Sequence, residues 1–389
     1  MDTDIPITGL DDLTTHMDAL IADPSTPLEA KLFDDIELQL TDSNTPPLLT
    51  TLLPRLVQIL HTTPSDPTTP ASLTTKLLRP LTFSQITSLA PPESLIQALE
   101  SPFAAANILA MTILHKAAAA PAEVAQLADM QDVVKSFVRT WLGSSEVGVG
   151  EKGGRVMGDL LDVDCEFDPP ARPPRNPHSL DAGMPTWHDM VLRKEKGSGA
   201  LWRRVFGDEE VYTLILDMLA GRHEDTDFST SSRADGEDMK KKARQLTLAQ
   251  GRILRILPRL AALDLNKVAR SEMVSPQPTP GYFATVTTAT NGLLHFAALR
   301  MVDRNDVLMH LSLIDFFEAF VGLMRVTPYS EDKVDVVKDL LREALADDKL
   351  LRESLESLPD RTVDEERDEL RAWLREVLPV SGDIDVVMR

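Results

Sequence analysis

The sequence has little cysteine and few aromatic side chains. Cys165 is its one cysteine among 389 residues, which excludes an internal disulfide framework and agrees with a reducing compartment. Aromatic residues make up only 5% of the chain, and long β-branched runs are scarce, whereas Leu and Ala abound. This composition favours helices over sheets.

Basic residues are also in short supply. The chain has 40 Lys and Arg against 61 Asp and Glu, a formal net charge of −21. A field of that sign repels phosphate backbones, so we expect no direct binding of nucleic acid. The charge is compatible with a basic protein partner, although solubility alone also explains it. The acidic first residues, MDTDIPITGLDD, predict no signal peptide.

Uninterrupted hydrophobic runs of membrane-spanning length are missing too. The nearest candidate is residues 307–326, VLMHLSLIDFFEAFVGLMRV. It contains His310, Asp315 and Glu318, which would be costly in lipid. The sequence therefore predicts a buried helix of a soluble protein, and no membrane partner.

The sequence has one candidate phosphate-binding signature, Gly148-x-Gly150-x-x-Gly153. A dinucleotide-binding turn needs a strand leading into the glycines, but residues 131–145 have helical periodicity. We therefore predict a helix through the glycines, with Gly153 on its buried face where a neighbouring helix approaches closely. No nucleotide or other cofactor is expected.

Catalytic and metal-binding constellations are equally scarce. His223 with Glu224, Asp225 and Asp227 has the residue types of a metal site, but a flexible acidic loop has the same composition. His115, His295 and His310 lie in apolar helical patterns, typical of histidines that pack in a core or face a groove. We predict no catalytic residue and no metal, and hence a protein that is not an enzyme.

What the sequence does contain is helical periodicity almost from end to end. Short and long helices alternate at a period of about forty residues, typical of HEAT and armadillo repeats. The prediction is an all-α protein, a single α-solenoid domain over residues 1–389. We expect a proline-rich insertion loop at 163–185, a disordered acidic and polar loop at 221–241, and a charged C-terminal helical cap at 330–389.

Arg252, Arg255 and Arg259 are spaced i, i+3 and i+7, which places them on one helical face. They are either a solvated face with acidic neighbours or anchors for the carboxylates of a partner protein. In a solenoid, polar residues on the inner helices line a concave face. The predicted partner contacts are Arg155, Asp159, Arg252, Arg255, Arg259 and His295.

Three blocks of the sequence resemble a known family, the fungal assembly chaperones of the proteasome regulatory-particle base. The blocks are residues 101–164, from SPFAAANILAM to GDLLDVD; 199–216, GALWRRVFGDEEVYTLIL; and 358–379, LPDRTVDEERDELRAWLREVLP. The yeast member of this family is also recorded as a DNA mismatch-repair protein. The animal counterpart is the proteasome non-ATPase subunit five.

The resemblance implies a C-shaped HEAT/armadillo-like solenoid that acts by binding. Its expected partner is the C-terminal domain of a proteasomal AAA ATPase subunit, the first of the base ring, which it holds during assembly. A cytoplasmic monomer is expected, with the nucleus as a further location. The alternatives are a nuclear adaptor for DNA mismatch repair or transport, built on the same solenoid, and an enzyme that uses the glycine-rich stretch.

Overall fold

The protein was analysed as a computed structural model, which describes residues 7–166, 196–223, 236–270 and 291–379. Every regular element in these ranges is a helix. The predicted all-α class is therefore confirmed.

The helices up to residue 163 are α1 (Leu10–Ala22), α2 (Ala30–Gln39), α3 (Pro46–Thr62), α4 (Thr68–Leu77), α5 (Phe83–Leu89), α6 (Pro92–Leu99), α7 (Ala104–Lys116), α8 (Pro121–Ala128), α9 (Gln131–Gly143) and α10 (Val147–Val163). Those that follow are α11 (Ala200–Phe206), α12 (Glu209–Leu219), α13 (Gly236–Leu263), α14 (Leu265–Ala269), α15 (Leu293–Leu299), α16 (Val307–Val326), α17 (Glu331–Ala344), α18 (Lys349–Ser357) and α19 (Asp364–Val377). Short 3₁₀ turns occupy Ala117–Ala119 and Leu358–Arg361.

Side chains that cap helix N-termini account for many of these starting points. Thr82 forms a capping box with Gln85 at the start of α5. In five later helices, a side-chain oxygen of an aspartate or serine accepts hydrogen bonds from backbone amides of the first turn. These N-cap residues are Asp208, Asp264, Asp306, Ser330 and Asp348.

Two compact units make up the chain, Met1–Val156 and Met157–Arg389, where the sequence predicts a single domain. In the first unit, α1 packs on α2 and α3, α4 packs on α2, α3 and α7, and α6 packs on α7 and α9. Leu13, Phe33, Leu56 and Leu77 are among its fully buried side chains. Its main contacts thus join helices that are close in sequence.

The second unit is centred on the packing of α13 against α16. Helix α13 also contacts α12, α14 and α15, while α16 contacts α18 and α19. Phe316, Phe317 and Phe320 of α16 are buried and stack on one another or meet edge to face. Trp373 of α19 donates from its indole nitrogen to the Val321 oxygen at 3.1 Å.

Helix α16 is long and apolar enough, by length and composition, to cross a membrane, the one such helix in the described ranges. Here it packs inside a helical unit, and two of its charged side chains, Glu318 and Arg325, form ion pairs with residues of later segments. Glu318 accepts from Arg361 at 2.6 Å, and Arg325 pairs with Glu366 and Glu369. These contacts are those of a core helix, as the sequence predicts.

The glycine-rich stretch is helical throughout, as predicted, because it forms α10. Gly153 lies under the Trp141 ring, so close that an added Cβ would come within 2.4 Å of Trp141 Cδ1. The predicted close approach of a neighbouring helix at Gly153 is therefore confirmed. The absent side chain is what lets α9 and α10 meet there.

The two loops and the C-terminal cap predicted from the sequence differ in how far the structure describes them. The disordered loop expected at 221–241 is wrong for its last residues, because α13 begins at Gly236, and 224–235 lie outside the described residues. Most of the proline-rich loop at 163–185 also lies outside them. The charged cap expected at 330–389 is helical as far as it is described, since α17, α18 and α19 fall within it.

Candidate partner-binding residues

Helix α13 carries the three arginines predicted as partner contacts. Its 28 residues present one apolar side to the core through Ile253, Leu257 and Leu260. This amphipathic pattern fixes the rotation of the helix and hence the direction in which each arginine leaves it. The structure gives the three arginines three different environments.

Arg255 is exposed, whereas Arg252 is buried, with 9% of its surface accessible. Burial, together with the positive charge of Arg255, lowers the pKa of Arg252 to about 10. A guanidinium with a lowered pKa has lost hydration that it would keep on an open surface. Arg252 is therefore covered by the chain itself, and its predicted contact with a partner stays a prediction.

Arg259 is committed to an internal ion pair. Its Nη2 lies 2.8 Å from an Asp159 carboxylate oxygen and 3.2 Å from an Asp162 oxygen. The guanidinium lies against the backbone of α10, since a Cβ added at Gly158 would be 2.5 Å from Arg259 Nη1. Arg259 and Asp159 thus stabilise the packing of two helices nearly 100 residues apart, and their predicted contacts with a partner stay predictions.

The helical spacing could not reveal this difference. Residues 252 and 259 differ by about 20° around an α-helix and 255 lies about 60° away, so all three leave the same side. Which of them is covered depends on residues distant in sequence. For Arg259 the covering side chains are Asp159 and Asp162.

His295, on α15, is half-buried. Its Nδ1 lies 3.1 Å from the Ala269 carbonyl oxygen at the end of α14, a hydrogen bond between two neighbouring helices. Burial lowers the pKa of His295, a shift opposed by that hydrogen bond and by Glu343 and Asp339. The residue serves the packing of α15 on α14.

Arg155 lies on the exposed side of α10. It belongs to the first unit, whereas the other predicted contacts belong to the second. Of the six predicted contacts, Arg155 and Arg255 are the two that are exposed to solvent.

Sequence reasoning missed Asp164, a carboxylate of the second unit that accepts four hydrogen bonds. Its side chain is fully buried. It accepts from the Leu201 amide at 2.6 Å, from the Trp202 amide at 3.2 Å, and from both the amide and the hydroxyl of Ser198. Asp164 therefore caps α11 from a helix end more than thirty residues earlier. The one signal in the sequence for such a role was the position of Asp164, directly after a helix with an apolar face.

Gln250 was missed for a similar reason. Its side-chain amide donates to the carbonyl oxygens of Leu219 and Met301, both at 3.0 Å. Gln250 is buried on α13 and joins the end of α12 to Met301, two residues after the end of α15. These two hydrogen bonds join separate segments of the second unit.

Metal-binding residue types do not converge in the parts of the chain that the structure describes. No three His, Cys, Asp or Glu side chains come together there as a metal site. His223 is described, but the residues considered with it, Glu224, Asp225 and Asp227, lie outside the described ranges.

Comparison with protein-family models and with curated proteins finds no match to this chain. The site is therefore interpreted from its own chemistry and from the resemblance of the three sequence blocks.

Proposed function

We propose that this protein is a non-catalytic assembly chaperone that binds the C-terminal domain of a proteasomal AAA ATPase subunit during assembly of the proteasome base. The observation that carries the proposal is where the three family-like blocks fall. Residues 101–164 contain α7 to α10, 199–216 contain α11 and most of α12, and 358–379 contain α19. Each block supplies buried core side chains, including Trp141, Trp202 and Trp373, so the resemblance is one of scaffold.

The finer architecture proposed is a C-shaped solenoid of HEAT/armadillo-like helix pairs. Its support is the packing pattern of the first unit, in which the main contacts join helices close in the chain. Stacks of helix pairs have this property because each repeat contacts its neighbours. A solenoid of this kind offers an extended surface to a folded partner domain.

Arg155 of the first unit and Arg255 of the second are each a candidate for direct contact with the partner, since both are exposed. Arg252, Arg259 and Asp159 support the helices from which such contacts are made. We therefore propose Arg155 and Arg255 as the direct contacts. Arginine suits the role because its guanidinium forms bidentate contacts with carboxylates.

The test is the affinity of the full chain for a recombinant C-terminal domain of the proteasomal ATPase, measured by isothermal calorimetry. Arg155→Glu and Arg255→Glu are prepared as separate variants, and Arg342→Glu is the matched control on an exposed side chain of α17. We expect at least one of the first two reversals to weaken binding about tenfold or more, because an interfacial charge reversal costs above ~1.4 kcal/mol.

The two parts of the proposal fail separately in this experiment. Failure of the wild-type chain to bind the domain at micromolar concentration would overturn the assigned function. Tight wild-type binding that neither reversal changes would retain the function and remove α10 and α13 from the interface. Circular dichroism of each variant verifies that the helices are intact.

A further inference from the structure

The first turns of α16 expose three large apolar side chains. Val307 is 70% accessible, Leu308 76% and Leu311 52%. We call these three residues the α16 patch. The same turns bury Met309 and Leu313 on the opposite side, so the exposure is confined to one face of the helix.

The patch is held in a fixed conformation. Asp306 caps α16 by accepting from the amides of Leu308 and Met309 at 3.0 and 3.2 Å. Ser312, beside the patch, donates its hydroxyl to the Leu308 carbonyl oxygen at 2.9 Å. Residues 307, 308 and 311 are neighbours on a helical surface, so they present one continuous apolar strip at the start of the helix.

Acidic side chains border the strip at both ends. Asp303 and Asp306 precede it, and Asp315 follows Leu311 by one turn; all three are exposed. They place negative charge before and after the apolar side chains along the helix axis.

A further carboxylate comes from the start of α18. His310 Nε2 lies 2.7 Å from Asp348 Oδ2, which brings the turn containing the exposed Asp347 next to α16. Arg304 is half-buried and faces Asp348 at 3.8 Å, so its charge is directed inward. Lys349 adds one exposed base, and carboxylates predominate around the patch.

This arrangement disfavours two occupants of an apolar surface. An anionic membrane would bring lipid phosphates against the acidic border, an unfavourable approach for a chain of net charge −21. A second copy of the chain, docked patch to patch about a two-fold axis, would bring two acidic borders together. Both cost electrostatic energy that three apolar side chains would have to overcome.

We infer that the α16 patch binds a basic amphipathic helix of a partner protein. The apolar side of such a helix would cover Val307, Leu308 and Leu311, and its Lys and Arg side chains would reach the bordering carboxylates. Helix recognition of this kind uses apolar anchors for affinity and complementary charge for orientation. The patch uses none of the residues assigned to the ATPase site, so the inference does not depend on the proposed function.

The test uses the full chain and a fluorescein-labelled amphipathic peptide of Leu and Lys, about 18 residues long so that it can be helical. Fluorescence anisotropy at physiological salt measures its binding. Leu308→Asp with Leu311→Asp replaces the apolar strip, while Leu38→Asp with Val363→Asp makes the same change at exposed apolar residues elsewhere. Leu308 lies in the first turn of α16, where an acidic residue is favourable, and Leu311 is exposed, so the patch variant should fold.

We expect the patch variant to bind the peptide at least about tenfold more weakly than wild type, a loss above ~1.4 kcal/mol, and the control to match wild type. A second pair of variants tests the border. Asp315→Asn with Asp347→Asn should weaken binding and reduce its dependence on salt, whereas Asp332→Asn with Asp335→Asn, exposed acids of α17, should have a smaller effect.

Three results would overturn the inference. Equal loss of peptide binding in the patch and control variants would mean that general charge attraction explains it. A wild-type dimer in sedimentation velocity that the patch variant abolishes would assign the surface to a second copy. Wild-type flotation with phosphatidylglycerol vesicles, lost in the patch variant, would assign it to a membrane.

Discussion

Glycines inside helices have opposite roles in this protein, according to what surrounds them. Gly153 is in contact with Trp141, where an added Cβ would lie 2.4 to 2.9 Å from three Trp141 side-chain atoms. Gly251 on α13 and Gly322 on α16 have nothing within 4 Å of the position a Cβ would take. The first glycine permits packing, whereas the other two only lower helix propensity.

Alanine substitutions should therefore change stability in opposite directions. We expect Gly153→Ala to lower the free energy of unfolding by about 1–3 kcal/mol, because overpacking forces Trp141 or the helix to move. Gly251→Ala and Gly322→Ala should each raise it by up to about 1 kcal/mol, since alanine favours the helix and meets no atom.

Urea denaturation followed by circular dichroism measures all three variants. A stable Gly153→Ala protein would mean that α9 and α10 separate at little cost. Destabilisation by Gly251→Ala or Gly322→Ala would contradict the open surroundings of those positions.

Residue-level prediction from sequence succeeds where the cause is local. The buried face of α10 follows from the spacing of its apolar residues, so Gly153 was placed correctly. The burial of Arg259 depends on Asp159 and Asp162, nearly 100 residues away. The helical pattern around Arg259 does not indicate these contacts. The same limit applies to Asp164, whose hydrogen-bond donors begin at Ser198, more than thirty residues later.

At the scale of whole elements, many helices begin where a side-chain carboxylate or hydroxyl caps their first amides. Asp164 is unusual among these caps because it is distant in sequence from the helix it caps. Most N-caps here are the residue directly before the helix. Asp164 instead reaches α11 across a chain separation of 37 residues to Leu201. A fully buried carboxylate of this kind couples the end of α10 to the start of α11.

Removing this carboxylate should cost more than removing an ordinary cap. We expect Asp164→Ala to lower the free energy of unfolding by about 2–4 kcal/mol, since hydrogen bonds to a charged group contribute about 1.5–3 kcal/mol and several amides lose their acceptor. Ser330→Ala, which removes the local cap of α17, should cost about 1 kcal/mol.

The comparison is made by thermal and urea unfolding of both variants. Equal costs for the two substitutions would show that the long-range cap contributes no more than a local one. Loss of helix signal limited to a few residues in Asp164→Ala would instead indicate that α11 detaches while the remaining helices stay folded.

Element boundaries also show what composition can and cannot predict. The polar stretch 221–241 has too few apolar residues to anchor a core, which favoured a loop. Yet α13 starts at Gly236, with Glu237 and Asp238 in its first turn, where acidic side chains interact favourably with the helix dipole. The helix therefore continues outward beyond its buried part, supported by local energetics.

At the scale of the whole molecule, the fold class follows from the sequence, while the division into units does not. Helical periodicity is repeated along the chain, so an all-α protein could be predicted without any distant contact. The boundary at Val156 falls inside α10, where no proline-rich or polar linker marks it. A boundary inside a continuous helix has no signature in composition.

The proposed solenoid predicts an extended particle. A compact domain of 389 residues has a radius of gyration of about 21 Å. We expect small-angle X-ray scattering of the monomer to give a clearly larger value, with a pair-distance distribution skewed to long distances. A radius near the compact value would rule out the C-shaped solenoid and leave a helical protein of another architecture.

In the first unit, the packing of helices on partners close in sequence also affects how the protein is made. A ribosome delivers the chain from its N-terminus at roughly 5–20 residues per second, and α1 finds α2 and α3 within the first sixty or so residues. Because nearby contacts close only short loops, each emerging helix can dock on one already formed. The helices of the first unit can thus fold one after another during translation, before the α16 patch has left the exit tunnel.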